Sequence, residues 1–114
     1  MSRFITIRQV DATEDQFSDR DLPLTIGSGP DNHIRIPGSA EAAAYIDDAQ
    51  GHLFIQPAEH LAVPLLHNDR QLTESAWLKS GDTLRSGPFL ARFERSGDRI
   101  VLVVVEEPAA DSPV

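Results

Sequence analysis

An all-β sandwich is the fold class this sequence predicts, and three observations carry it. Apolar residues recur at the short spacing of strands, with Val, Ile, Thr and Phe in brief runs. Gly, Pro, Asp and Asn clusters separate those runs at turn-like intervals. The only helix-favouring stretch is the alanine-rich Gly38 to Ala44, too short for propensity to decide its conformation.

Taken in order, Phe4 to Val10 reads as a first strand, with Ile5, Ile7 and Gln9 on one face and Phe4, Thr6, Arg8 and Val10 on the other. Asp11 to Asp21 reads as a polar, acidic loop whose one large apolar residue is Phe17. Leu22 to Ile26 and His33 to Ile36 read as strands joined by the turn-rich Gly27-Ser28-Gly29-Pro30-Asp31-Asn32. Gly38 to Ala44 forms one helical turn or a loop, and a strand follows over Ala43 to Asp47.

Asp48 to Gly51 is a hairpin turn into His52 to Gln56, and Val63 to His67 makes a further strand. Asn68-Asp69-Arg70 is a tight turn, and Trp77 and Leu78 are core anchors beside Leu72, with an exposed partner anchor as the other reading of Trp77. The remaining strands are Thr83 to Arg85, Phe89 to Glu94 and Arg99 to Val105, divided by turns at Ser80-Gly81-Asp82 and Ser86-Gly87-Pro88. The folded domain therefore spans residues 1–105. Residues 106–114 are an acidic Pro/Ala linker or tail with too little apolar content to offset its ordering entropy.

The 114 residues suit one domain, and a composition of 40% apolar and 25% charged residues is that of an ordinary globular chain. Ten basic against eighteen acidic side chains give a net charge of -8, which repels phosphate backbones and anionic lipid. The expected partner is thus a protein, with no nucleic acid and no direct membrane contact by this segment. The absence of cysteine excludes a disulfide framework or a thiolate metal site. The N-terminus lacks a signal-peptide h-region, so a cytoplasmic location is expected. The longest apolar run, Ile100 to Val105, falls well short of the roughly twenty residues a membrane helix needs.

Leu24-Thr25-Ile26-Gly27-Ser28, with Ile34-Arg35-Ile36 after it, and Leu78 to Gly87 with its Gly81-Asp82 pair and the following Phe89 to Phe93 together resemble a forkhead-associated (FHA) domain. The resemblance covers roughly Leu22 to Phe93. It implies an FHA-like (SMAD/FHA) β-sandwich of two antiparallel sheets, whose loops at one end usually bind phosphothreonine peptides. Gly27 matches the family's glycine, but Ser28 stands where a phosphate-binding arginine usually follows, and one hydroxyl cannot replace a bidentate guanidinium.

The family's serine and histidine fall at Ala40 and Ala43; a register shifted by one brings Ser39 to the serine position and leaves Ala42 at the histidine. Val63-Pro64 occupies the place of an asparagine-glycine pair, and Asn68-Asp69 matches a later, largely structural asparagine turn. The chain is therefore similar to degenerate FHA-like domains, and its stretches Ile26 to Ile34 and Pro64 to Asn68 resemble the cytoplasmic domains of type III secretion inner-membrane ring proteins. That similarity implies a phospho-independent assembly module at the N-terminus of a larger membrane-anchored bacterial protein, self-assembling in that context.

Candidate partner-binding residues are Ser28, Gly29, Asn32, Ser39, Asn68, Asp69 and Arg70. The alternative is a phosphothreonine reader with altered ligands, using Ser28, Ser39, Asn68 and either Arg35 or Arg70. A third reading is an accessory domain controlling an enzyme farther along a longer chain. No catalytic residue, cofactor or metal site is expected. His33, His52, His60 and His67 lack ligand spacing, the acidic pairs Asp47-Asp48 and Glu106-Glu107 decorate a turn and a tail, and Ser28 lacks the frame of a nucleophile elbow or P-loop.

Overall fold

Inward-facing Ile, Leu and Val on alternate positions of every long strand close two sheets over one core. The computed structural model describes residues 3–59 and 63–107. Among these residues twelve strands run in chain order: β1 Phe4–Arg8, β2 Glu14–Ser18, β3 Leu24–Gly27, β4 Ile34–Arg35, β5 Ala44–Ala49 and β6 His52–Pro57, then β7 Leu66–His67, β8 Arg70–Gln71, β9 Ala76–Trp77, β10 Thr83–Ser86, β11 Phe89–Ser96 and β12 Arg99–Glu106. One sheet has the order β2-β1-β12-β11-β10-β7-β8 and the other β4-β3-β5-β6-β9.

The sandwich is as expected, but its sheets are mixed rather than purely antiparallel. β1 pairs in parallel with β12, and β3 with β4, while all other pairs are antiparallel. The parallel β3–β4 pair forces the chain leaving Gly27 to turn back before Ile34 can lie beside Ile26, which is what creates the 28–33 loop.

Ile5 and Ile7 meet Ile100, Leu102, Phe93 and Leu84 from one sheet and Leu24, Ile26, Ile46 and Ile55 from the other in the buried core. Gln9 continues the inward face of the first strand past its last paired residue. Its buried amide donates to the His33 carbonyl at 2.8 Å and accepts from the Arg35 N–H at 3.0 Å, which ties the first strand to β4.

Three local expectations are corrected, and one that was left open is decided. The 11–21 segment contains a strand, β2, because Glu14 to Ser18 pairs along β1 and turns Phe17 and Asp15 inward. Of the two readings of Gly38 to Ala44, helical turn or loop, 38–43 takes the loop, since its backbone bonds across to Ile26, Ser28 and Gly29. Val63 and Pro64 are exposed and lie outside β7, which begins only at Leu66. Trp77 is 53% exposed, because β9 alternation gives the inward place to its neighbour Leu78. Of the tail, Glu106 ends β12 and the Glu107 N–H donates to the Pro88 carbonyl at 2.6 Å; residues 108–114 and His60 lie outside the described residues.

Candidate functional site

The 28–33 loop and the 38–43 loop meet at the end of the sandwich where β3 stops and β5 starts. They are joined backbone to backbone: the Ser28 N–H donates to the Ala40 carbonyl at 3.0 Å and the Gly29 N–H to the Glu41 carbonyl at 3.2 Å. Asn32 completes the closure, its side-chain amide donating to the Gly29 carbonyl at 2.9 Å and the Glu41 carbonyl at 2.8 Å. Glycine at 27 is required by this closure, because a Cβ there would collide with the Glu41 carbonyl.

Each sequence-derived site residue has a definite place. Ser28 is exposed, Gly29 is buried beneath it, and Asn32 holds the loop pair together. Ser39 is 8% exposed, with its hydroxyl turned inward to donate to the Ile36 carbonyl at 2.7 Å. Ala43, at the position the resemblance assigns to histidine, is fully buried; its N–H donates to the Ile26 carbonyl and its carbonyl accepts from Ala58.

Asn68, Asp69 and Arg70 do not join this cluster. Asn68 (φ 51°) and Asp69 (φ 70°) form a two-residue hairpin turn with both φ values positive, the geometry that asparagine and aspartate tolerate best. The turn is fastened to the start of β10, with Asn68 exchanging bonds with Thr83 at 3.0 and 2.9 Å and donating to Asp82 at 3.0 Å. It is the far end of β10 that nears the loop pair, where the Phe89 ring beyond the Gly87-Pro88 turn approaches Gly38.

Asp82 gathers bonds from Asn68, from the Lys79 N–H and from His67 Nε2, the last two at 2.9 Å. Burial acts to raise its pKa, but those donors outweigh burial and hold the carboxyl below the usual carboxylate value. The Gly81-Asp82 pair is thus a structural clamp for the Asn68 hairpin.

A shallow cleft of about 320 Å³ lies at the loop end, lined by Thr25, Gly29, Pro30, Asp31, Asn32, Glu41 and Ala42. Two of these carry carboxylates and none is a cation. Arg35, on β4, lies 3.8 Å from the Asp15 carboxylate, and Arg70 stands on β8 in the other sheet. A larger cleft of about 710 Å³ lies at the opposite end, where Arg3 is held between Asp19 and Asp48. Burial lowers the Arg3 pKa less than these two aspartates raise it, and the Arg3 bond in turn depresses Asp48. Among the described residues, no group of three or more His, Cys, Asp or Glu is arranged to hold a metal ion, and no helix is long and apolar enough to cross a membrane.

Sequence reasoning missed an aromatic row on the outside of the five-stranded sheet. Tyr45, Phe54 and Trp77 project outward there, and the signal was available in the alternation Tyr45-x-Asp47 and His52-x-Phe54 against the buried Ile46, Leu53 and Ile55.

No protein-family model and no curated protein matches the chain. Solved structures do. The N-terminal FHA domain from EssC, a component of the bacterial type VII secretion apparatus, superposes with a TM-score of 0.57 at 16% identity, covering 96% of this chain and 63% of that one. The FHA domain of an Arabidopsis thaliana hypothetical protein gives 0.56 at 18% identity, covering 98% and 90%. Mycobacterium tuberculosis EmbR, in complex with a low affinity phosphopeptide, gives 0.53 at 13% identity, covering 97% of this chain and 26% of that one. The two mixed sheets are therefore those of the FHA β-sandwich fold.

Proposed function

We propose that this domain is a non-catalytic protein interaction and assembly module that works without phosphate recognition. One observation carries the reading: the loop end that the FHA resemblance assigns to phosphothreonine is closed by Asn32 and rimmed by Asp31 and Glu41, with no cation among its lining residues. A dianionic phosphate there would face two carboxylates and lose its water without a charge-assisted partner. The inward-turned Ser39 hydroxyl and the buried Ala43 supply no replacement.

The partner is a protein, met by the exposed parts of the 28–32 and 38–43 loops, with Asn68 to Arg70 forming a separate surface. The setting we propose is cytoplasmic, as the N-terminal part of a larger membrane-anchored bacterial protein of the secretion-ring kind. The EssC neighbour, an N-terminal FHA domain of a secretion component, supports that setting by example. Self-assembly in such a chain is compatible with a monomer in isolation, because anchoring raises the local concentration.

The test is titration with a degenerate phosphothreonine peptide library and its unphosphorylated twin, followed by NMR shifts at Ser28, Ser39 and Asn68. No phosphate-dependent binding is expected. Saturable binding confined to the phosphorylated pool would replace this reading with that of a signalling module using altered ligands.

A further inference from the structure

The outer face of the five-stranded sheet carries a connected aromatic chain. Tyr45 meets Phe54 edge to face at 6.4 Å between ring centroids, Phe54 meets Trp77 at 6.3 Å, and Trp77 meets His52 at 6.0 Å. Tyr45 is 38% exposed and Trp77 53%, far more than rings that serve only the core. Cross-strand register sets Asp47 opposite Phe54 and Phe54 opposite Trp77, so a carboxylate and two rings stand in one row across β5, β6 and β9. Beside Trp77 a slot of about 280 Å³ opens between Ala49, Phe54, Ser75 and Ala76.

The charge on β5 and β6 has one sign, although Lys79 follows Trp77 by two residues and Arg3 and Arg95 line a cleft with Asp47 at the end of β5. Between Arg35 and Arg70 the chain has no lysine or arginine but carries Glu41, Asp47, Asp48, Glu59 and Asp69. Arg3, which reaches the end of β5, is already engaged by Asp19 and Asp48. One Asp47 oxygen accepts from the Asp48 N–H at 2.8 Å, and among the described residues no cation pairs with this carboxylate.

These features select an occupant. Electron-rich ring faces next to a carboxylate attract a desolvated guanidinium or ammonium group. An apolar partner would cover Asp47 without compensating its charge, and an acidic one would meet a domain of net charge -8. We propose that this face binds an extended arginine- or lysine-bearing segment of a partner protein, seating one cationic side chain in the slot between Phe54 and Trp77 with its head group paired to Asp47. The proposal rests on the interaction-module reading but uses a surface separate from the loop end.

Trp77 is the only tryptophan in the chain, so its fluorescence reports the slot directly. The experiment titrates the domain at low salt with a synthetic peptide of alternating Arg and Thr, its Lys-Thr analogue and a Glu-Thr control. A saturable change in Trp77 emission is expected with the two basic peptides and none with the acidic one. Asp47→Lys and Tyr45→Ser, each checked for an unchanged unfolding midpoint, are expected to weaken binding on the order of tenfold, the scale of a desolvated cation–π contact.

Glu41→Lys makes the same charge change at the loop end and is expected to leave the affinity within about twofold, since screening limits a distant surface charge. The proposal is overturned if neither basic peptide gives a saturable response, if the Glu-Thr peptide binds as well, or if Glu41→Lys weakens binding as much as Asp47→Lys. It is also overturned if sedimentation shows that the face is instead covered by a second copy through Trp77. A loss confined to Glu41→Lys would move the contact to the loop end and leave the interaction-module reading standing.

Discussion

The Cα of Gly27 lies against the carbonyl oxygen of Glu41 so closely that no Cβ fits between them. This contact lets the β3 end and the 38–43 loop share backbone bonds, so Gly27→Ala forces the two loops apart. We expect it to cost about 2 kcal/mol, the scale of overpacking in a closed site, read as a lower urea midpoint at unchanged m. Gly29→Ala should cost less, because its added Cβ meets chiefly the flexible Glu41 side chain, at 2.9 Å. Equal costs would show that the collision at Gly27 is relieved by backbone movement.

Gln9 spans the gap between the first strand and β4 with both ends of its amide satisfied, and it is only 3% exposed. Gln9→Ala leaves the His33 carbonyl and the Arg35 N–H without that partner and should destabilise by about 2 kcal/mol. Gln9→Glu should be worse at neutral pH, since a carboxylate would replace the amide that donates to the His33 carbonyl and Asp15. Its deficit should shrink on acidification as the introduced group takes up a proton. Chemical denaturation across pH checks both points.

What the sequence made legible, and what it hid, follows from how many faces of a strand the core sees. Strands buried on one side showed themselves by alternation, as in Ile5-x-Ile7 and Leu53-x-Ile55, and turns showed themselves by Gly and Asn. β2 stayed hidden because an edge strand beside Asp15 and Phe17 needs only one large apolar residue. Trp77 misled because local composition near Leu72 and Leu78 favoured burial, whereas alternation alone decides which of two adjacent residues points in. The loop cluster was legible in part. Ser28, Gly29, Asn32 and Ser39 come together, whereas Asn68-Asp69 was legible as a structural turn but its pattern held no sign that Asn68 is fastened to Asp82 away from the loop pair.

The Asp82 clamp predicts an acid-sensitive hairpin. Because its folded pKa is depressed, its contribution is full above the ordinary value of 3.8 and is lost as pH falls through the lower folded value. Asp82→Asn should therefore cost about 2 kcal/mol at neutral pH, the scale of hydrogen bonds to a charged group. The difference from wild type should stay constant down to about pH 5 and narrow below that ordinary value. Urea midpoints at stepped pH give the comparison, and a gap that stays open well below the ordinary value would exclude the carboxylate as its source.

Ser86 sits on the inward face of β10, 1% exposed, and its hydroxyl has no hydrogen-bond partner among the described residues. A buried hydroxyl without a partner has lost its water and regained nothing, so removing it removes a cost rather than a contact. Ser86→Ala should accordingly leave stability unchanged or raise it by up to about 1 kcal/mol, against the destabilisation usual for a core substitution. Ser86→Val tests the space around the same atom. A loss on valine with no loss on alanine means a site closely packed around an unsatisfied oxygen, whereas a clear loss on alanine would mean that the hydroxyl is satisfied in solution by a bound water.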